Sequence, residues 1–571
     1  MVVIIDYYTK QEKVIINDRD ELLKIYNKFK HDIWIGYNSR QYDVNIMKAL
    51  ILDMNPKEVN DKLILENKKG FEINRNFNNI EFYNYDTLLL NTSLKQLEGF
   101  MGENIKESSV PFNINRKLTE SEIEETIRYC RHDVQQTIKV FEATKSDFDA
   151  HVGMIKEFKL PMGSFNKTKA QLSTEVLGAK RLHSLNDEME YEFVKCIKLN
   201  KYKYIQDWFN DNRAYKVEND KGKLVKNQLK TNVMGLESVY GFGGMHSAIK
   251  KYQSDGFIVH SDVASFYPNV MINHGLLSRA VEEPEKYSNV LKQRLIYKRN
   301  NDERQAPYKI ILNATFGICK DKYNKMYDPK RANEITINCQ LLLTDLLEKI
   351  EMKFGEDVLL IQGNTDGIIV KLRDKTLFEE YKKVCNEWEC RTGFTLEHDL
   401  IKRIVQKDVN NYIFEFENGK LERKGAYVKK LSKTNYDLPI VNKAIVEYFV
   451  NDIPVDKTIN ECEDLIEFQK ISKIGSTYKY AMYGDKILNE KVLRTFATTK
   501  DLPGVFKVKD VVNKDGETTE SIQKIADTPE KCFIYNGSVV GKKCPSYLDR
   551  QYYIDMAKER IKKFIGEYKE K

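Results

Sequence analysis

Two acidic residues stand where apolar runs end. Asp262 closes the run Gly256–Ala264, and Asp366 lies in Gly363-Asn364-Thr365-Asp366-Gly367, between the apolar runs Val358–Gln362 and Ile368–Leu372. The second segment reads as a tight β-hairpin turn. An acid in such a turn often does no more than stabilise its own loop. Two strand-end acids facing one cleft have a further use. Mg²⁺ is usually held through one or two carboxylates together with substrate phosphates. A pair of such ions serves the attacking and the leaving oxygen of a phosphoryl transfer. That reaction also needs cations on the phosphates. Arg294 and Lys298 are four apart and share a helix face, as do Lys309 and Asn313.

The elements that must position these side chains are legible from periodicity. Residues 2–145 read as α/β, with strands at Val2–Ile5, Lys13–Ile16 and Ile33–Tyr37, a helix at Asp20–Phe29 and a longer one at Ser121–Ala143. The stretch from Phe158 to Tyr240 is mixed and mostly helical at first. The strand Gly256–Ala264 is followed by an expected turn at Tyr267–Pro268. Between Pro284 and Asn324 two helical patterns flank a polar break at Asn300–Arg304, with Pro307 near the start of the second, where a missing N–H costs little. A long helix over Ala332–Phe354 leads into the hairpin that carries Asp366. The tail beyond Tyr436 is mixed and ends in a basic amphipathic helix.

Asp262-Val-Ala-Ser-Phe-Tyr-Pro268 resembles motif A of the family B DNA polymerases, DxxSLYP. Lys309-Ile-Ile-Leu-Asn313-Ala-Thr-Phe-Gly317 resembles their motif B, KxxxNSxYG, and Gly363–Gly367 resembles motif C, YGDTDS. Each is loose alone; the order, with 47 residues from Asp262 to Lys309 and 57 from Lys309 to Asp366, is specific. The resemblance implies that Asp262, Asp366 and the backbone carbonyl of Val263 hold two Mg²⁺ ions, with Mn²⁺ as a substitute. It implies that Ser265 and the Phe266 N–H touch the triphosphate. Tyr267 lies under the incoming sugar as a steric gate, core packing being its other use. Arg294, Lys298, Lys309 and Asn313 grip the nucleotide, with Arg299 and Arg304 as rival registers for the first two. Asn364 stands where motif C has its first acid. The essential ligand is the second acid, Asp366, so activity is expected to survive.

Tyr240-Gly-Phe-Gly243-Gly244 resembles the YxGG element of the same family, where glycine permits close approach to a phosphate; a flexible turn is the alternative. Lys407, Asn411 and Tyr412, followed by Lys424 and Gly425, resemble the KxY region that holds primer DNA. The chain lacks room between Asp262 and Lys309 for the insertion of protein-primed members, and resembles short phage-encoded ones.

The N-terminal region resembles a DEDD 3′–5′ exonuclease of RNase H-like fold. Asn38-Ser-Arg-Gln-Tyr-Asp43 matches its second motif and Tyr129-Cys-Arg-His-Asp133 its third, although YxxxD arises by chance in surface helices. The first motif, DxE on the opening strand, is absent: Asp6 is followed by Tyr7 and Tyr8. Met1 is therefore expected to fall after a missing strand, leaving proofreading weak or absent unless an upstream segment completes it.

The implied architecture is multidomain, α/β and α+β. It comprises an incomplete exonuclease-like region (1–155), a connecting region (156–245), palm (246–285 and 323–433), helical fingers (286–322) and thumb (434–571). The length of 571 residues suits several domains. Hydrophobic content of 41% and charged content of 31% are those of a globular protein. No apolar run is long enough to span a membrane, and no secretory leader is evident. Nine scattered cysteines without a CxxC pair suit reduced, buried thiols in a cytoplasm, that of a host cell for a phage product. The net charge of +7 is mild, but Ile401–Lys433 carries nine Lys/Arg against four Asp/Glu, and Gly541–Lys571 nine against five. Such clusters track phosphates or form solvated faces. The expected function is DNA polymerisation by a monomer acting on primer-template DNA and dNTPs. The rival is a non-catalytic DNA-binding protein derived from the same fold.

Overall fold

The computed structural model describes residues 1–111, 114, 116–220, 222–512 and 516–571. They form two compact units, one of Met1–Asn166, Leu431–Tyr448 and Ile453–Ala557, the other of Lys167–Lys430, Phe449–Asp452 and Lys558–Lys571.

The first unit opens with the antiparallel pair β1 (Val2–Ile5) and β2 (Glu12–Ile15). Asp6 makes the turn between them, its Oδ1 accepting the N–H groups of Tyr8 and Thr9. Next comes α1 (Arg19–Phe29), capped by the Asp18 carboxylate on the Glu21 N–H. Then follow β3 (Ile33–Gly36), α2 (Asp43–Ile51), β4 (Tyr83–Asp86), α3 (Leu94–Phe100) and α4 (Glu120–Ala143). β3 and β4 are parallel. Among the described residues the four strands stay in two separate pairs. They share one apolar cluster, in which Val2, Ile4 and Ile15 meet Trp34 and Phe82.

The second unit is built on a nine-stranded antiparallel sheet. Its strands are β5 (Gln228–Val233), β6 (Leu236–Gly241), β7 (His246–Ala248), β8 (Tyr252–Val263), β9 (Val358–Asn364), β10 (Gly367–Leu372), β11 (Leu396–Asp408), β12 (Asn411–Phe416) and β13 (Leu421–Lys424). Their order is β13-β12-β11-β8-β10-β9-β7-β6-β5. β5 and β6, assigned by sequence to a connecting region, are therefore outer strands of this sheet. After β8 come α5 (Phe266–Asn273), the helical hairpin α6 (Pro284–Arg299) and α7 (Gln305–Cys319), and α8 (Pro329–Phe354). α5 replaces the expected turn at Tyr267–Pro268, because Pro268 falls in the first helical turn, where no N–H is needed. α8 begins at Asp328, whose side chain accepts the Arg331 N–H, and is buried almost throughout. α9 (Phe378–Thr392) lies against it, with Trp388 Nε1 donating to the Leu342 carbonyl at 3.2 Å. Ser261 points towards α9 and bonds Tyr381 and His398. By strand alternation Asp262 points to the opposite face.

The chain then returns to the first unit with β14 (Lys470–Lys473), β15 (Tyr480–Tyr483), β16 (Lys486–Leu488), β17 (Val492–Ala497), β18 (Val505–Val512), β19 (Thr518–Lys524) and β20 (Cys532–Ile534). These make a three-stranded sheet, β14-β17-β20, and a four-stranded one, β16-β15-β18-β19. Of residues 434–571, Phe449–Asp452 and Lys558–Lys571 belong to the second unit and the rest to the first. Arg494 on β17 is fully buried and donates to Gln469 Oε1 at 3.0 Å, to the Gly99 carbonyl at 3.2 Å and to the Glu103 carbonyl at 2.8 Å. A guanidinium shut away from water must keep those acceptors, so it staples the C-terminal strands to α3. Burial pushes its pKa down to about 10. All nine cysteines are free thiols; Cys385 is buried as expected, but Cys390 is exposed. Among the described residues no helix is long and apolar enough to cross a membrane.

Candidate active site

Asp262 is the penultimate residue of β8, and β8 runs between β10 and β11. In register it faces Gly367 on one side and Glu397 on the other. Asp366 sits in the β9–β10 turn, whose Thr365 adopts φ +43°. The Asp366 carbonyl accepts the Val263 N–H at 2.9 Å, so the turn is tied to the residue that follows Asp262. A Cβ on Gly367 would lie 2.7 Å from Asp262 Oδ1, so glycine leaves the carboxylate its space.

Charge is concentrated on this face. Burial, then Asp366, Glu397, Glu422 and Asp399, push the Asp262 pKa up to about 7. Asp366 keeps solvent contact, yet enough protein surrounds it to raise its pKa, against the pull of its own backbone N–H, His260 and Lys424. Sequence reasoning missed His260, Glu397, Asp399 and Glu422. The signal was present as alternation, since residues two apart on a strand share a face. Asp262 with His260, and Glu397 with Asp399, obey that spacing across paired strands.

The nucleotide-binding candidates gather in part. Ser265 starts α5 in the left-handed conformation, φ 50° and ψ 47°, an uncommon state for a residue with a Cβ. Arg294 on α6 brings Nη1 to 3.5 Å from Ser265 Oγ, the long limit of a hydrogen bond, while its buried Nε has no protein partner. Arg294 is thus the register that reaches motif A; Arg304 is bound to Asp302 at 2.6 Å and lies over the Tyr297 ring. Lys298, Lys309 and Asn313 are exposed. Phe266 is buried edge-on against Phe394. Tyr267 is half-buried, its ring edge-on to Phe316 at 4.6 Å, and burial with nearby Cys339 and Asp366 raises its hydroxyl pKa.

The expected DNA-binding residues divide. The Tyr240 side chain is fully buried with its hydroxyl 2.9 Å from Thr344 Oγ1, so it supports the sheet. Gln340 holds both backbone groups of the adjoining Gly241. A Cβ on Gly244 would meet Thr365 Oγ1 at 2.6 Å, so glycine allows the Asp366 turn to come close; Gly243 faces open space. Gly244 therefore packs against the Asp366 turn, which the Thr365 N–H ties to the Met245 carbonyl at 3.1 Å. Tyr412 is likewise buried, stacked on Phe414 at 3.9 Å with its hydroxyl 2.9 Å from Glu422. Asn411 bonds Asp408 at 2.8 Å, and Gly425, at φ +104°, leaves it room. Lys407 lies 3.6 Å from Asp408. Lys424 is exposed beside the acids, whose pKa it lowers at Asp366.

In the first unit, Asn38 takes φ +57° just before α2, which begins with Asp43. Burial raises the Asp43 pKa, with Asp86 and Asp133 adding to it, so these three acids are neighbours. Asp133 accepts from Lys95 Nζ at 3.2 Å, and the same ammonium reaches Glu98 at 3.0 Å and lies 4.7 Å from the centre of the Tyr129 ring. Sequence reasoning missed both Asp86 and Lys95, which are local to neither motif.

Among the described residues no three His, Cys, Asp or Glu side chains form a metal cage. The Asp262–Asp366 face still fits a hard divalent ion. Its donors are carboxylate oxygens, burial and then their mutual repulsion lift one pKa to about 7, and Mg²⁺ takes its remaining ligands from water and substrate.

No family model and no curated protein matches the sequence. Among solved structures the chain is similar to the family B DNA polymerase from the hyperthermophilic archaeon Pyrobaculum calidifontis, with 14% identity and a TM-score of 0.42 over 97% of this chain and 74% of that one. The functional reading rests instead on the residues of the site.

Proposed function

We propose that the chain is a template-directed DNA polymerase that extends a primer 3′-hydroxyl with dNTPs, using two Mg²⁺ ions at Asp262 and Asp366. One observation supports this above the rest: two carboxylates distant in sequence end neighbouring strands, tied by the Val263 N–H on the Asp366 carbonyl and crowded by further acids. Bound there with the Val263 carbonyl, the ions supply charge neutralisation on the triphosphate and acidify the primer hydroxyl. The chain's own residues do the rest. Arg294 meets the phosphates beside Ser265, and Lys298 and Lys309 add charge from the helical hairpin. Tyr267, propped by Phe316, limits the room at the sugar. Exonuclease activity is weak or absent in this reading, because Asp6 is followed by Tyr7 and Tyr8 where the DxE motif needs its second acid.

Primer extension with dNTPs against rNTPs tests the proposal. The wild-type chain extends with dNTPs, and Tyr267→Ala admits rNTPs. Failure of the wild type to extend any primer while still binding DNA would leave the non-catalytic reading.

A further inference from the structure

Beyond the catalytic face, we infer that the loop following α7 is a stacking platform for an unpaired nucleic-acid strand, with Tyr323 as the stacking side chain. Which strand it holds, the template ahead of the growing end, rests on the polymerase reading.

The outward face of α7 carries Lys309, Asn313, Gly317 and Lys320, all exposed and spaced three or four apart. A Cβ on Gly317 would meet nothing within 4 Å, so this face is open. Lys320 Nζ lies 4.7 Å from the centre of the Phe316 ring, and Phe316 is the ring that props Tyr267. The open face therefore leads from the site of the incoming nucleotide into the loop.

That loop holds Lys322, Tyr323 and Lys325, all exposed. Tyr323 leaves 81% of its surface in water, and Lys322 Nζ is 5.0 Å from its ring centre. A slack loop would explain an exposed ring, but this one is pinned at both ends. Asp321 Oδ1 accepts the Tyr323 N–H at 3.0 Å, and Arg181 donates to the Lys322 carbonyl at 2.6 Å. The buried Asn324 Oδ1 accepts from Thr174 at 2.8 Å and from the Met326 N–H at 2.9 Å, and Met326 is itself buried. The fold thus holds an aromatic ring out into water between lysines. The one acid between Lys320 and Lys325, Asp321, spends its carboxylate on the backbone.

Such a surface suits unpaired nucleotides. Every base offers a π-face to an aromatic ring, and the phosphates follow the lysines whatever the sequence. A duplex keeps its bases stacked inside and gains only the phosphate contacts.

The test is equilibrium binding, by fluorescence anisotropy, of the full chain to primer-template with a long 5′ template overhang and to blunt duplex. Tyr323→Ala should weaken overhang binding by about tenfold, the worth of one stacked base, and leave blunt duplex unchanged. Tyr323→Phe should behave as wild type, and the indole fluorescence of Tyr323→Trp should be quenched by oligo-dT. Unchanged overhang binding in Tyr323→Ala, or an equal loss on both substrates, would overturn the platform. Primer extension by the same preparations separates the two ideas. Extension without Tyr323-dependent overhang binding sinks the platform alone, and Tyr323-dependent binding without extension sinks the polymerase reading alone.

Discussion

Two clusters of aspartates in this protein, both with pKa values raised first by burial, differ in how closely a cation is paired with them. On the nine-stranded sheet, Asp262 is surrounded by Asp366, Glu397, Glu422 and Asp399, and the exposed Lys424 lies near enough to lower the Asp366 pKa. In the first unit, Asp133 lies 3.2 Å from the Lys95 ammonium, which is also paired with the fully buried Glu98. In the first cluster the acids outnumber the nearby lysine, which makes no direct pair with Asp262 among the described contacts. In the second, Lys95 is paired directly with Asp133. Acidic residues near one another are therefore not equivalent sites, because the fold pairs a cation with some and leaves others facing acids.

The strongest way to break this comparison is to remove the crowded acids of the sheet. Asp262→Ala or Asp366→Ala should reduce primer extension by at least about a thousandfold, as loss of a metal-binding carboxylate does, without loss of folding. Retention of even a tenth of the wild-type rate would mean that the crowded face is not the reaction centre.

Next in size is removal of the built-in cation. Lys95→Ala leaves the buried Glu98 with only His132 Nε2, at 3.3 Å, as an ion-pair partner, which should cost about 3 kcal/mol of stability, read from the denaturant midpoint. Lys95→Ala combined with Glu98→Gln should recover much of the loss. A neutral Lys95→Ala would erase the contrast between the clusters.

A smaller effect sharpens the comparison through pH. Without a cation, folded Asp262 holds its proton up to about pH 7, whereas the unfolded chain releases it at about 4. This group's contribution to stability is therefore fully present below about pH 4 and declines as pH rises towards 7. Mg²⁺ binds the ionised form, so its stabilising shift in melting temperature should be larger at pH 8 than at pH 6. Asp262→Asn should abolish that difference. An Mg²⁺ shift independent of pH would sever the link between the acid crowding and the ion.

Several parts of this site were legible from local pattern. The helical hairpin, the Asp366 turn and the strand ending at Asp262 announce themselves through apolar periodicity and turn residues, which act over a few residues. A motif names residue types and says nothing of burial, so it did not show that Gly244, Tyr240 and Tyr412 have partners inside the fold. Their partners, Thr365, Thr344 and Glu422, are fixed only when separate strands and helices meet. The C-terminal strands join the N-terminal unit through Arg494, a residue that nothing in its neighbourhood marks as buried.

By itself, then, the sequence determined the types and order of the elements and the placing of Asp262 and Asp366 at strand ends, since hydrophobic period and turn chemistry are short-range. Tertiary structure alone decided which charges became neighbours. Glu397 came opposite Asp262 by strand register, and Lys95 reached Asp133 from 38 residues away. Electrostatic energy depends on distance in space, and chain separation does not set that distance.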